Sequence, residues 1–197
     1  PVAAVEAVKD VEVIVLSIPF AKIPEVAGLF STVPAEVVVI DTSNYYPQLG
    51  TRIPEVDDGE LESVWAREQL GRPIIKAFNA IIAKTLADGG KPAGTDNRIA
   101  IPVAGDSLAG KAIAQQLLDY AGFDALDAGT IADSWRQQPG MPAYCTELPL
   151  AALHSALNVA VKGDAPHLRD ALMAEFFGGD IPPSHETIVA RNRAVSA

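Results

Sequence analysis

The sequence predicts an α/β fold in which helices cover both faces of one parallel sheet and a helical extension follows at the C-terminal end. Short runs rich in Val, Ile and Ala alternate with segments of helical spacing, which is typical of strand–helix–strand units. Hydrophobic residues make up 49% of the 197 residues and aromatic residues only 6%, which suits an aliphatic core between strands and helices. After about Pro149 only helical spacing is found.

Five apolar runs are predicted to be the strands of the sheet. The first, VEVIVLSIP, is a continuous β-branched run that Pro19 ends, as expected of a strand buried on both faces. Helical segments separate successive runs, so right-handed crossovers would align all five strands in parallel. The predicted strands are residues 11–19, 35–44, 72–79, 98–105 and 123–129.

Helical spacing and end signals define the segments between the strands. Pro24 is tolerated in the first turn of a short helix within 21–33. Gly71 provides a C-cap for a helix over 59–71. Further helices are predicted at 1–8, 80–88 and 107–122.

The C-terminal part is predicted to contain three helices: LAALHSALNVAV at 150–161, HLRDALMAEFF, and a third that begins after a Ser184 N-cap. The first of these is apolar nearly all round and must be covered on more than one side. We therefore expect one domain over residues 1–148, a helical extension over 149–197, and a homodimer formed through that extension.

The charge and cysteine content exclude several classes of partner. With 15 basic against 25 acidic residues the formal net charge is −10, so no nucleic-acid partner is expected. The single cysteine, Cys145, cannot form an internal disulfide, and we expect a reducing, cytoplasmic location. No apolar run has the roughly 20 residues of a membrane helix, and no histidines have metal-ligand spacing, so neither a membrane nor a metal is expected.

The segment GDSLAGKA, residues 105–112, has the G-x-x-x-x-G-K spacing of a phosphate-binding loop at a strand-to-helix turn. Ala112 stands where that loop needs a hydroxyl for magnesium, and the acidic strand end VVVID precedes the segment instead of following it. The ordinary alternative is a helix that Asp106 caps, with Lys111 in solvent. A P-loop-like nucleotide-binding protein is therefore the weaker alternative.

Polar side chains follow three of the predicted strands where each strand ends. They lie in SIPF at 17–20, TSN at 42–44 and KAFN at 76–79. Ligands of open parallel sheets bind in the crevice outside the carboxyl ends of the strands. Helix caps would explain the second group, but the third places two hydrogen-bond donors beside a flat apolar ring. The sequence therefore predicts a ligand crevice at these strand ends.

KAFN within IIKAFNAI, together with VAGDSLAGKA and FDALDAGTIADSWRQQP, resembles a known family. From about residue 5 to 148 the chain is similar to the dinucleotide-binding NADPH:deazaflavin (coenzyme F420) oxidoreductases. It also resembles the cytosolic reductase domain of the STEAP transmembrane metalloreductases. The resemblance implies a Rossmann-type domain over 1–148 that binds NADP(H), with hydride passing between the nicotinamide and a flavin or coenzyme F420 as the acceptor.

By this resemblance the three strand ends line the cofactor, with KAFN beside the nicotinamide. Lys76 is the nearest candidate if hydride transfer needs a proton donor. The implied catalytic residues are Lys76 and Asn79, and the implied cofactor-binding residues are Ser17, Ile18, Pro19, Phe20, Ser43, Asn44, Ala77 and Phe78.

The sequence departs from that family because no G-x-G-x-x-G turn lies between a strand and a helix. We expect roughly 50 residues of a βαβα unit to precede these residues, and NADPH to bind poorly without them. The preference for NADP or NAD is set in that unit. A non-catalytic NADP(H)-binding redox sensor stays the alternative function, since the sequence does not separate binding from hydride transfer.

Overall fold

The structure, a computed structural model, describes residues 2–179 and 181–195 of the chain. At its centre is a five-stranded sheet with the strands in chain order. Each predicted strand run contains one of the observed strands, and the Rossmann-like α/β fold class is confirmed. The strands are β1 Val13–Leu16, β2 Val38–Asp41, β3 Ile75–Lys76, β4 Ala100–Gly105 and β5 Asp124–Asp127.

The sheet departs from the prediction at one pair of strands. The other neighbouring pairs are parallel, whereas β3 and β4 are antiparallel, with Ile75 opposite Gly105 and Lys76 opposite Ala104. The residues between them include the short helix Ala83–Asp88. The expectation of five parallel strands is therefore wrong at this pair.

Helices flank the sheet and form the C-terminal part of the chain. Short 3₁₀ segments accompany them after β1 and after β5. The helices are α1 Ala4–Ala7, α2 Ile23–Val26, α3 Pro54–Asp57, α4 Glu62–Leu70, α5 Ala83–Asp88, α6 Leu108–Tyr120, α7 Leu150–Val159, α8 Ala165–Phe177 and α9 His185–Ala194, and the 3₁₀ segments are Phe20–Lys22, Ala27–Thr32 and Ile131–Gln137.

The helix ends follow from local hydrogen bonds. Gly71 ends α4 in the left-handed conformation, with φ of 65°, as predicted for a C-cap. Ser184 caps α9 by accepting a hydrogen bond from the backbone of Thr187, also as predicted. The cap of α6 is Ser107, whose Oγ accepts from the Gly110 backbone at 3.0 Å. The assignment of Asp106 as that cap is wrong, because its carboxylate accepts from the backbone of Ile131 across the turn.

The α6 cap gives a testable stability effect. We expect Ser107→Ala to lower the free energy of unfolding by about 1 kcal/mol, since the first turn of α6 loses a side-chain acceptor. Urea unfolding followed by circular dichroism measures this difference. Ser107→Thr is the matched control and should retain most of the wild-type stability, whereas equal loss in both variants would mean that the hydroxyl is not the cap.

Helix α7 packs on β4 and β5 through Leu153, Ala156 and Leu157. Its other side leaves Leu150 43% and Val159 60% exposed. The division of the chain at residue 148 stays a prediction. Within residues 2–179 and 181–195, no helix combines the length and hydropathy needed to cross a membrane.

Candidate active site

The carboxyl ends of β1, β2 and β3 lie at one edge of the sheet because these three neighbours are parallel. The sequence-predicted residues are thus brought together in what we call the strand-end crevice, formed by residues 17–20, 42–44 and 77–79. They differ in accessibility. Ser17 and Pro19 are exposed, Ile18, Asn44 and Phe78 are partly exposed, and Phe20, Ser43, Ala77 and Asn79 are buried.

A fully buried ion pair lies beneath this crevice. Lys76 Nζ donates to Asp41 Oδ2 at 2.7 Å and also to the Ser43 backbone oxygen, and neither charged side chain is exposed. Asp41 Oδ1 accepts from the Ser43 backbone and, at 2.6 Å, from the Ser43 hydroxyl. The pair therefore joins the ends of β2 and β3. It also leaves Lys76 without direct access to a ligand, so its predicted catalytic role is limited to holding the strand ends in place.

Asn79 is the centre of a second buried network. Its Nδ2 donates to Asn44 Oδ1 at 3.1 Å and to the Gln137 backbone oxygen at 2.9 Å, while its Oδ1 accepts from Gln137 Nε2 at 2.8 Å. Asn44 Nδ2 in turn donates to the Asn79 backbone oxygen at 3.0 Å. The side chain of Asn79 therefore fixes the relative positions of two strand ends and the 3₁₀ segment after β5.

The sequence did not predict Gln137 as part of this site. It is completely buried, and its Nε2 also lies 3.3 Å from the Lys76 backbone oxygen. The one signal was the glutamine pair in SWRQQP, which offers amides in a segment that follows a strand. The spacing of 58 residues between Gln137 and Asn79 gave no local indication that the two would meet.

The backbone of Phe78 is strained where KAFN leaves the strand. Its φ is 61°, a left-handed conformation that is rare for a bulky side chain. Such a conformation costs roughly 1–3 kcal/mol and persists only where the surrounding contacts enforce it, most often at functional sites. Here the buried ion pair and the Asn79 network hold the residues on either side, and the Phe78 ring stays partly exposed in the crevice.

Glu62 is a buried carboxyl that the sequence analysis did not single out. It lies at the start of α4, is 4% exposed, and accepts a hydrogen bond from the Tyr45 backbone at 3.1 Å. Burial raises the pKa of Glu62 to about 7, although the charges of Lys76 and Arg169 and the Tyr45 hydrogen bond oppose that rise. The position of Glu62 at the start of a helix does not predict its burial or its raised pKa, because the residues that bury its side chain come from distant parts of the chain.

Glu62 makes the stability depend on pH. Its folded-state pKa of about 7 lies above the ordinary value of 4.5, so the folded protein holds the proton more tightly. The contribution of this group therefore favours folding below pH 4.5 and is lost as the pH rises through about 7.

We expect Glu62→Gln to remove this fall in stability, measured by urea unfolding across that range. Glu36→Gln, at an exposed position, should keep the wild-type slope, and an unchanged slope in Glu62→Gln would refute the assignment.

A mostly apolar cavity of about 280 Å³ lies next to the Asn79 network. Asn44 Nδ2 is 3.2 Å from the Tyr144 hydroxyl, which is 2.8 Å from the Tyr46 hydroxyl, and both rings line the cavity. In the neighbouring segment MPAY, Tyr144 lines this cavity, whereas Met141 and Pro142 line another one. Cys145 also lines it, but burial raises the pKa of its thiol to about 12, so it is not an activated nucleophile.

The structure does not favour the phosphate-loop alternative. Lys111 is buried, contrary to the expectation that it lies in solvent, and its Nζ is 2.8 Å from both carboxylate oxygens of Asp127. The carboxylate of Asp127 stabilises the charge of this lysine. A lysine held in this way is not free to contact a phosphate.

The crevice suits part of a dinucleotide. Ser17 and Asn44 offer polar groups at accessible positions, and Ile18 and Phe78 offer apolar surface for a flat ring. The residues described here provide no glycine-rich turn for the pyrophosphate. The strand-end crevice thus offers polar groups beside apolar surface, and no turn for the phosphates among the residues that the structure describes.

The fold and the crevice define a Rossmann-like protein of the dinucleotide-binding class, and comparison with known proteins agrees. The family model for NADP oxidoreductases that depend on coenzyme F420 matches residues 1–45. The Escherichia coli (strain K12) protein YjhV is 37% identical over 105 residues, which cover 53% of this chain and 77% of YjhV. The chain therefore belongs to the same family as YjhV, and the match at residues 1–45 confirms the predicted resemblance to coenzyme F420-dependent NADP oxidoreductases for that part of the chain.

Two solved structures share the architecture. A hypothetical protein from Sinorhizobium meliloti is 25% identical with a TM-score of 0.62, over 74% of this chain and 70% of that one. A protein from Arthrobacter sp. FB24, described as an F420-dependent NADP reductase, is 20% identical with a TM-score of 0.51, over 68% of this chain and 62% of that one. The second likeness shows the fold alone. The likeness to the STEAP reductase domain stays a prediction.

Proposed function

We propose that this protein is an NADP-dependent oxidoreductase that transfers a hydride between NADP(H) and a flavin or deazaflavin acceptor such as coenzyme F420. Membership of the family supports the redox class and the cofactor. The observation that carries the proposal is the strand-end crevice, where the strained backbone of Phe78 lies between Lys76 of the buried ion pair and Asn79 of the second network.

The cofactor itself supplies the hydride chemistry, so the protein has to bind and orient it. In this proposal the exposed first strand end, Ser17 to Pro19, lies along the cofactor, and Phe78 provides the surface against the nicotinamide. Asn79 and Lys76 act by fixing the strand ends from below, since their polar atoms already contact protein groups. Asn44, which is partly exposed, is the network residue best placed to reach a ligand.

The apolar cavity beside Tyr46 and Tyr144 supports a ring-shaped acceptor. Flat heterocycles bind in concave sites lined mainly by apolar and aromatic side chains. This cavity is separated from the strand-end crevice by a short chain of hydrogen bonds that starts at Asn44. We propose that it receives part of the acceptor ring system.

Oxidation of NADPH by the full-length protein tests the proposal. The absorbance of NADPH is followed with FMN, FAD, riboflavin and coenzyme F420 in turn, and with NADH as the matched donor. We expect turnover with NADPH and at least one of these acceptors. The exposed-lysine variant Lys84→Met should behave as the wild type. Absence of turnover with every acceptor, in a protein that binds NADPH, would refute hydride transfer to this class.

A redox sensor that binds NADP(H) without turnover is the second candidate. It is favoured by one observation: the polar side-chain atoms of both predicted catalytic residues, Lys76 and Asn79, are bonded within the protein. Tight NADPH binding together with no oxidation by any acceptor would support this function instead.

We also propose a homodimer formed through the C-terminal helices. The exposed apolar side chains Leu150, Val159 and Val161 lie on or next to α7 on the side away from the sheet. Covering them would remove apolar surface from water. Light scattering at micromolar concentration is expected to give twice the mass of the chain, and a monomer at every concentration would contradict the proposal. The cytoplasmic location stays a prediction.

A further inference from the structure

A second cavity, of about 460 Å³, lies apart from the strand-end crevice. It is bounded by the loop between β2 and α4, by the residues around Gln138, and by the first turns of α8, and we call it the α4–α8 cavity. It shares no residue with the strand ends at 17–20, 42–44 and 76–79. The proposed hydride transfer makes no use of it.

Three buried polar or charged side chains line this cavity: Glu62, Gln138 and Arg169 are 4%, 7% and 6% exposed. Oε2 of Glu62 is bonded to the Tyr45 backbone, but Oε1 has no hydrogen-bond donor within residues 2–179 and 181–195. In the same described part of the chain, the Gln138 side-chain amide has no partner. Arg169 uses Nε on Asp170 at 2.7 Å and Nη1 on the Tyr45 carbonyl at 3.3 Å, which leaves Nη2.

Glu62 Oε1, the Gln138 side-chain amide and Arg169 Nη2 are therefore available to bond water or a ligand. None of these atoms is sealed from solvent, so each can be reached by a molecule inside the cavity. The deep wall thus offers a carboxyl oxygen and a carboxamide as acceptors, and these are what a ligand with N–H groups requires.

The charge balance decides which ligand fits. Arg52 Nε pairs with Asp57 at 2.9 Å, and Arg169 Nε pairs with Asp170 at 2.7 Å, so both cations are already neutralised. An anion would therefore meet mainly carboxylates. The charged side chains left at the cavity after these pairs are the carboxyls of Asp58, Glu60 and Glu62 and the ammonium of Lys162.

We propose that the α4–α8 cavity binds a small organic cation whose ammonium or guanidinium group donates to Glu62 Oε1 and to the Gln138 carbonyl oxygen. The aliphatic part of such a ligand would lie against Trp135 and Leu61. The charged groups that act on Glu62 from neighbouring elements are Lys76, Asp41 and Arg169. Because burial raises the pKa of Glu62 to about 7, a bound cation would favour the ionised carboxylate and release a proton near neutral pH.

Calorimetric titration of the full-length protein tests this site with n-butylammonium chloride, and with sodium butyrate as an anion of the same chain length. We expect butylammonium to bind and butyrate not to bind. Repeating the titration at pH 7 in two buffers with different enthalpies of ionisation should reveal proton release. Glu62→Gln should weaken binding about tenfold and abolish the proton release. Asp58→Asn, at the exposed rim, should change the affinity much less.

Gln138→Leu gives a second variant in case Glu62→Gln does not fold, and it should also weaken butylammonium binding. Circular dichroism checks the fold of each variant. The proposal is overturned if butyrate binds as tightly as butylammonium, if no heat of binding is found for butylammonium, or if folded Glu62→Gln and Gln138→Leu bind it like the wild type. None of these outcomes depends on NADPH oxidation, so the result is independent of the proposed function.

Discussion

Replacing Lys76 with methionine is expected to lower the free energy of unfolding by about 3–5 kcal/mol, because it leaves the carboxylate of Asp41 buried without its cation. Both side chains of the pair are inaccessible to water, and the 2.7 Å contact is one of the links between β2 and β3. Water cannot replace the lost ammonium at this depth. Urea unfolding monitored by circular dichroism measures the loss.

Two further variants separate the charge effect from a packing effect. Lys111→Met removes a lysine of similar burial, but its partner Asp127 is 49% exposed and can be hydrated, so we expect a clearly smaller loss. The double variant Asp41→Leu with Lys76→Met removes both charges and should regain much of the stability lost in the single variant. If Lys76→Met and Lys111→Met were equally stable, the ion pair beneath the crevice would not have the importance we assign to it.

Asn79→Leu is expected to reduce turnover of NADPH about 10-fold to 100-fold, equivalent to about 1–3 kcal/mol, while weakening NADPH binding less. Leucine has the same number of side-chain heavy atoms as asparagine but cannot form hydrogen bonds with Asn44 or Gln137, so the side-chain contacts that join the strand ends are lost. Turnover depends on the orientation of the nicotinamide, whereas most cofactor affinity comes from the phosphates. The prediction rests on the proposed function.

Steady-state kinetics with the best acceptor, together with calorimetric binding of NADPH, give the two quantities. Asn158→Leu is the matched control, because Asn158 is exposed on α7 and its amide contacts only the neighbouring His154. Both variants are compared at a temperature where circular dichroism shows them folded. Unchanged turnover in Asn79→Leu would mean that KAFN has only a structural role.

The sequence was sufficient for those elements whose signals are local. The first four strands were found from runs that contain β-branched residues, and the end of α4 from Gly71, because these patterns act over a few neighbouring residues. The cap of α6 was assigned one residue too early, since Asp106 and Ser107 are both good caps and only the three-dimensional position of Ile131 decides between them. The antiparallel direction of β4 was not predicted, because the residues between β3 and β4 carry no local signal for it.

In the candidate site, too, the features with local sequence signals were predicted and the long-range contacts were not. The strand ends were predicted together because parallel neighbours must end at one edge of a sheet. Their partners were not predicted: Gln137 lies 58 residues from Asn79, and Asp41 lies 35 residues from Lys76. Contacts between residues so far apart in the sequence depend on the folding of the whole chain, and they produce no periodic pattern in the sequence. Burial of Glu62 was missed for the same reason, although it changes the chemistry of that group.

Because β3 and β4 are antiparallel, β4 ends on the opposite side of the sheet from the carboxyl ends of β1, β2 and β3. Since Gly105 lies opposite Ile75, the turn into α6 emerges beside the amino ends of β2 and β3, on the far edge from the strand-end crevice. Leu108, at the start of α6, is 78% exposed there. A fluorophore attached at this position would stay a full strand length away from any ligand in the crevice. It could therefore follow binding and assembly in solution without itself competing for the site.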